Sequence, residues 1–160
     1  MNSKMLAALA GSVAVIGAVV FFLVEQNQSH ALHLQGEIVS IRFNTLSDGG
    51  NLSIIHLKVT NPSSTGYEVR GVEVDAISPD GKETIPSGVL SKREVRAYTE
   101  FEKLDGTPIG LGDEVKKGET IDRIMSARFE VPRQKLAGYT LRVKFTSVNG
   151  VPAEITGRIP

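Results

Sequence analysis

The sequence predicts an all-β domain, a β-sandwich over residues 34–160, preceded by one N-terminal transmembrane helix. Three observations carry this. Residues 5–24 form a run of twenty residues whose only polar side chain is Ser12. Strict alternation of apolar and polar residues recurs from Val39 to the end of the chain. Clusters of Gly, Pro, Asn and Asp separate the alternating runs at short intervals.

The apolar run comes first. At about 1.5 Å per residue, a helix of this length spans about 30 Å, the hydrocarbon thickness of a bilayer. Lys4 and the terminal amine precede it and "EQNQSH" follows it, so the positive-inside rule leaves residues 1–4 in the cytoplasm. Residues 25–33 then act as a linker and residues 34–160 are exported. A cleaved secretory signal is the alternative, because Ser29-His30-Ala31 offers small residues at the −3 and −1 positions. The run exceeds the usual signal length of about 7–15 residues, which favours an uncleaved anchor. Ala10, Ala14 and Ala18 repeat at the spacing that lets membrane helices approach closely, but a run this rich in Ala and Gly produces the spacing by composition. Oligomeric state is therefore left open.

The strands follow in order. Val39, Ile41 and Phe43 alternate with Ser40 and Arg42, and Ile55, Leu57 and Val59 alternate with His56 and Lys58. Met125, Ala127, Phe129 and Val131 form a third face, and "YTLRVKFT" sets Tyr139, Leu141, Val143 and Phe145 against Thr140, Arg142, Lys144 and Thr146. Such period-two patterns mark half-buried strands. Asp48-Gly49-Gly50-Asn51 and Asn149-Gly150 suit tight hairpins, and Ser78-Pro79-Asp80-Gly81 suits a turn with Pro in second place. About eight strands at this spacing indicate a sandwich, or less readily a closed barrel. No segment past Ala31 shows a sustained helical period. Residues 104–119 are too rich in Gly and charge for a regular strand and read as a long connection between sheets.

One stretch changes phase. In "YEVRGVEVDA", Tyr67 and Val69 are apolar at odd positions, whereas Val72, Val74 and Ala76 are apolar at even ones. An extra residue in the strand produces this, and Gly accommodates a bulge most easily, so a bulge is expected at Arg70-Gly71.

Composition excludes several classes of function. Lys plus Arg equals Asp plus Glu at 18 each, and without residues 1–31 each total is still 17. There is no basic excess to replace phosphate counterions, so no nucleic acid is expected as a partner. Basic pairs such as Lys92-Arg93 and Lys116-Lys117 are too short for a polybasic membrane clamp. The absence of Cys removes disulfides, thiolate metal sites and a cysteine nucleophile together.

The search for chemistry returns no catalytic, cofactor-binding or metal-binding residue. His30 and His33 form an i, i+3 pair with no third ligand at matching spacing, and His56 alternates with core positions and points to solvent. Asp105, Asp113 and Glu114 lie in the long connection, and Glu100 and Glu102 sit two apart on one strand face. Solvated charge accounts for these carboxylates without a catalytic pair, and the EF-hand spacing is absent. Arg93, Arg96, Arg128, Arg142 and Lys144 are assigned to the outer faces of strands, where they form cross-strand pairs with Glu or, less economically, a docking face for an acidic partner. No enzyme and no cofactor is expected. Asn27-Gln28-Ser29 and Asn51-Leu52-Ser53 fit glycosylation acceptors, though the lack of Cys favours a bacterial envelope.

"LKVTNPSSTGYEVRGVEVDA", a strand ending in Asn61-Pro62 and followed by a second strand, resembles the late embryogenesis abundant group 2 family, the water-stress and hypersensitive-response (WHy) domain. The terminal "YTLRVKFTSVNGVPAEITGRIP", with its Gly157 to Pro160 finish, is similar to that family's last hairpin. The polar loop Ser63-Ser64-Thr65-Gly66 is longer than the family pattern. The resemblance implies an immunoglobulin- or fibronectin-III-like β-sandwich without catalytic residues, acting in stress protection or in binding at membranes. The expected function is thus a membrane-anchored, non-enzymatic, extracytoplasmic (periplasmic or extracellular) binding or stress-protection module. Its partners are the membrane, through residues 5–24, and a protein of the cell envelope. An accessory subunit or assembly factor of a membrane complex is the alternative.

Overall fold

The computed structural model of the protein describes residues 33–160. The apolar run 5–24, the candidate cleavage site and His30 lie outside the described residues. Among the described residues, no helix is long and apolar enough to cross a membrane.

Among the described residues, nine strands and two helices follow in the order β1 (Gln35–Thr45), β2 (Asn51–Thr60), β3 (Tyr67–Ile77), β4 (Thr84–Pro86), β5 (Gly88–Val89), α1 (Lys92–Glu102), β6 (Glu114–Val115), β7 (Thr120–Phe129), α2 (Arg133–Leu136), β8 (Thr140–Ser147) and β9 (Pro152–Arg158). One sheet has the order β1-β2-β7-β5 and the other β4-β3-β8-β9, with β6 added to β3. All pairs between named strands are antiparallel. The two inner faces meet in one aliphatic core in which Ile55, Leu57, Met125 and Phe129 of the first sheet join Tyr67, Val69, Leu141, Val143 and Phe145 of the second. Truncating either of these Phe residues to Ala would cost about 3–5 kcal/mol.

The turns form where expected. Gly49, Gly81 and Gly150 have φ of 86°, 71° and 74° and close the hairpin and turn after β1, β3 and β8. The β3–β8 register shifts between Val69 and Gly71, so the bulge lies where the change of phase placed it. Tyr67, Val69, Val74 and Ala76 are all buried, and Val72 packs against them.

A second bulge corrects the expected face of β1. The β1–β2 register shifts between Ile38 and Ser40, and Val39 is 51% exposed. Ile41 and Phe43 pack on the core as expected, but Ile38 takes the place of Val39, because one inserted residue reverses the face of all that precede it.

A larger correction concerns Lys92–Glu102, which is helical. Ser91 and Glu94 form a capping box: the Ser91 hydroxyl accepts from the Glu94 N–H at 3.3 Å and the Glu94 carboxylate accepts from the Ser91 N–H at 2.8 Å. Within α1 only Val95 and Thr99 are buried. A stripe of two residues at i, i+4 is too narrow to register as a period. Glu100 and Glu102 therefore lie on the last turn of a helix, two apart and on different sides, and Arg93 and Arg96 are helical surface residues.

The outer face of the first sheet explains the need for this helix. Cross-strand register puts Leu52, Ile54 and Ile124 on that face, and all three are buried. Tyr98 of α1 is hydrogen-bonded to the Asn44 amide on β1, which ties the helix over this apolar strip. Residues 104–119 then cross to the other sheet, as expected of a long connection. The Ile109 N–H bonds to the Ile124 carbonyl of β7, and the Gly112 N–H to the Val69 carbonyl of β3, both at 2.9 Å.

Asn61 closes the base of the sandwich. Its side chain is fully buried. Its amide donates to the carbonyls of Thr65 and Val115, both at 2.8 Å, and its oxygen accepts from the Ser63 N–H at 3.0 Å. Its own N–H and carbonyl pair with Glu119 and Gly118 at 2.9 and 2.7 Å. Ser63, also buried, uses its hydroxyl on both the N–H and the carbonyl of His33, each at 2.9 Å. Beside them, the Tyr67 hydroxyl lies 2.9 Å from the Val151 carbonyl and 3.1 Å from that of Phe145. Asn51 is buried too and donates to the Val131 carbonyl at 2.6 Å, so in the folded domain it is no glycan acceptor.

Replacing Asn61 by Ala strands two carbonyls and an N–H in the interior, and a loss of at least about 3 kcal/mol is expected in urea unfolding of residues 33–160. A loss below about 1 kcal/mol would show that Asn61 is not the closure of this end. Burial also pushes the Tyr67 hydroxyl up to about 12 from its ordinary 10. Because the folded value is the higher one, this contribution is complete below pH 10 and is lost as pH rises towards 12, by up to about 3 kcal/mol. Tyr67→Phe should flatten that alkaline decline relative to the parent in melts from pH 9 to 11.5.

Candidate functional site

Three surface depressions lie beside α1, and two of them bear on function. The first is an open groove of about 620 Å³ where the helix begins, lined chiefly by Val72, Val89, Leu90 and Leu111, with Lys92, Arg93 and Glu94 around it. It forms because β5 is only two residues long. Leu90 makes one bond, from its N–H to the Ser126 carbonyl at 2.9 Å, and the capped helix then starts at once. Leu111 sits in the connecting loop with 62% of its surface exposed.

The rim is fixed by charge. Lys92 Nζ lies 2.8 Å from one Asp113 oxygen while the other accepts the Gly110 N–H at 2.9 Å. A Cβ at Gly110 would come within 2.9 Å of Lys92 Cγ, so the missing side chain lets the lysine stem lie across the loop. The Ser91 hydroxyl, with the Ser91 N–H, holds the Glu94 carboxylate below its usual range. Arg93 is exposed and has no carboxylate within ion-pair distance among the described residues.

The second depression is polar and smaller, about 320 Å³, on the outer face of the first sheet beside the end of α1. Arg42, His56, Lys103 and Asp105 surround a floor that includes Ile54 and Ile124. His56 is half-exposed, with Nε2 3.7 Å from Asp122. The cleft could take up a small anion from solvent, but it offers no nucleophile held by a base.

The remaining candidates are dispersed. Asp113 is committed to Lys92 and the Gly110 N–H, and Glu114 lies beside Gly66. No three His, Asp or Glu side chains converge on a common point among the described residues. Arg142 and Lys144 do face outward on β8, where they meet Asp75 (2.6 and 3.0 Å) and Glu73 (3.1 Å) on β3. Arg128 meets Asp48 and Glu130. Cross-strand pairing therefore occupies these cations, each pair contributing about 1 kcal/mol or less. The apolar groove was the part missed by sequence reasoning. Its residues come from β3, β5, α1 and the long connection, and the Ser91-x-x-Glu94 box was the available signal for the helix that frames it.

No protein-family model matches the chain, and no curated protein sequence does. Solved structures with some likeness include a candidate lipoprotein of Bacillus subtilis (9% identity, 78% of this chain and 36% of that one, TM-score 0.47). Others are an uncharacterised β-sandwich protein of Clostridium difficile (13%, 77% and 84%, 0.40) and the archaellum periplasmic stator protein FlaG of Sulfolobus acidocaldarius (12%, 78% and 99%, 0.34). The chain spans about a third of the length of the Bacillus subtilis protein. Likeness at this level carries no function across.

Ser91→Ala removes the cap, and about 1 kcal/mol of helix stability should go with it. Amide exchange at Glu94 and Val95 should quicken roughly five-fold while exchange in β8 stays unchanged. Equal rates in parent and variant would mean that packing alone holds the start of α1.

Proposed function

We propose that the protein is a non-enzymatic binding module of the cell envelope, held at the membrane through residues 5–24, and that the groove between β5 and α1 receives an apolar segment of a partner. The strand order β1-β2-β7-β5 against β4-β3-β8-β9 supports reading the sandwich as immunoglobulin-like, with four strands in the order known for one sheet of constant-type domains. The observation that carries the function is the groove itself. Four aliphatic side chains line a concave surface beside cations, and Leu111 stays exposed although the outer faces nearby are paired or covered.

Leu111→Asp tests this reading because the residue is exposed and its replacement should cost the fold less than about 1 kcal/mol. Detergent-solubilised full-length protein should retain a stoichiometric partner that the variant loses by ten-fold or more, a change of about 1.4 kcal/mol. Retention of the partner by the variant, or no partner in the parent, would refute it. Exchanging residues 5–24 for an unrelated apolar span separates a tether from an accessory subunit of a membrane complex. A tether tolerates the exchange and a subunit does not.

A further inference from the structure

The strand directions sort the loops into two ends. His33, the start of β1, the Asn61 to Gly66 loop, the Lys116 to Glu119 turn and the β8–β9 hairpin share one end, because Gln35 pairs with Thr60, Thr60 with Thr120, and Asn61 with Glu119. The hairpin is brought there by Tyr67, whose hydroxyl reaches Val151. The opposite end holds the Asp48 hairpin, the Asp80 turn, Glu83 and Glu130, where each acid is paired with Arg128, Lys82 or Lys135.

The end that carries His33 presents Lys116 and Lys117 in an exposed turn, and neither has a carboxylate within ion-pair distance among the described residues. Neither lysine side chain is paired with the acids nearest in sequence. Glu119 accepts the Lys116 backbone N–H at 2.8 Å, Glu114 lies beside Gly66, and Glu68 pairs with Arg70 at 2.8 Å. At the hairpin tip Val148 is 55% exposed, next to Asn149 and Gly150. An uncommitted lysine pair and an apolar tip on the end where the chain arrives from an apolar run of twenty residues fit one occupant, an anionic lipid surface.

We infer that this end of the sandwich docks on the bilayer, Lys116 and Lys117 meeting lipid phosphates and Val148 dipping into the headgroup region. The inference rests on the reading that residues 5–24 span the membrane. Two lysines are too few to recruit a free protein, but a tethered domain samples the surface at high effective concentration. Each lysine near an anionic surface then favours the docked state about five-fold. Docking fixes the sandwich upright, which turns the Asp48 hairpin and the Asp80 turn away from the membrane.

The chain has no Cys, so single labels are clean. Full-length Val148→Cys and Ser47→Cys, each carrying an environment-sensitive fluorophore, are reconstituted in nanodiscs of phosphatidylcholine with or without 30% phosphatidylglycerol. Iodide quenching at position 148 should fall at least three-fold with the anionic lipid, while position 47 at the opposite end stays fully quenched. Lys116→Glu with Lys117→Glu, or 0.5 M salt, should restore quenching at 148. Incorporation with equal quenching at both positions overturns docking and leaves the span intact. Failure to incorporate into nanodiscs overturns the span, and docking with it.

Discussion

The buried amide of Asn61 is the constraint on which the rest of the domain depends. A sandwich must route the chain from one sheet to the other without leaving peptide groups dry and unpaired, and here β2 hands over to β3 beneath a turn that must also accommodate β6 and the start of β7. One side chain with two donors and an acceptor meets its own turn at Ser63 and Thr65 and the end of β6 at Val115, and its backbone pairs with the Lys116 to Glu119 turn. Each partner is fixed by the others, since the low dielectric makes any vacancy expensive. Pro62 then bars the strand from continuing, and Ser63 extends the same network to His33, just before β1. The Asn-Pro pair that stands out in the sequence thus has a packing reason, independent of any family.

Much of the fold was legible because alternation and turn chemistry are local. The Tyr67 to Ala76 phase change required a bulge, and Gly71 located it. Val39 could not be placed by the same logic, because an apolar bulge residue preserves the look of alternation while reversing what precedes it. Helix α1 stayed hidden for a different reason. It buries only Val95 and Thr99 on a strip of the first sheet that is itself apolar on the wrong face, and Leu52, Ile54 and Ile124 read as ordinary strand residues until something is known to cover them. A groove assembled from four separate segments has no signature in one dimension, and neither does the end of the sandwich that gathers Lys116 and Val148.

The two sheets dispose of their outer faces differently. On the second, Glu73, Asp75, Arg142 and Lys144 form a ladder of cross-strand ion pairs that consumes its charge internally. On the first, a helix covers the apolar middle and leaves polar edges. The flank where β1 and β9 approach is shut by two glycines. A Cβ at Gly157 would lie 2.9 Å from that of Ile38, and one at Gly36 would fall 2.6 Å from Ile155, so only bare backbone fits there. Among the described residues the large apolar side chains left exposed are Val39, Phe101, Leu111 and Val148, and of these Leu111 lies at the β5–α1 junction.

The two hydrogen bonds between the Ser63 hydroxyl and the backbone of His33 bear on force. Any pull along the chain that precedes His33 enters the domain through this clasp and then through β1, whose ladder to β2 runs from Gln35 to Thr45 along the direction of tension. Hydrogen bonds loaded lengthwise must yield together, whereas bonds loaded crosswise yield one after another. The domain is therefore arranged to hold against traction from its N-terminal side, as a mooring rather than a zip.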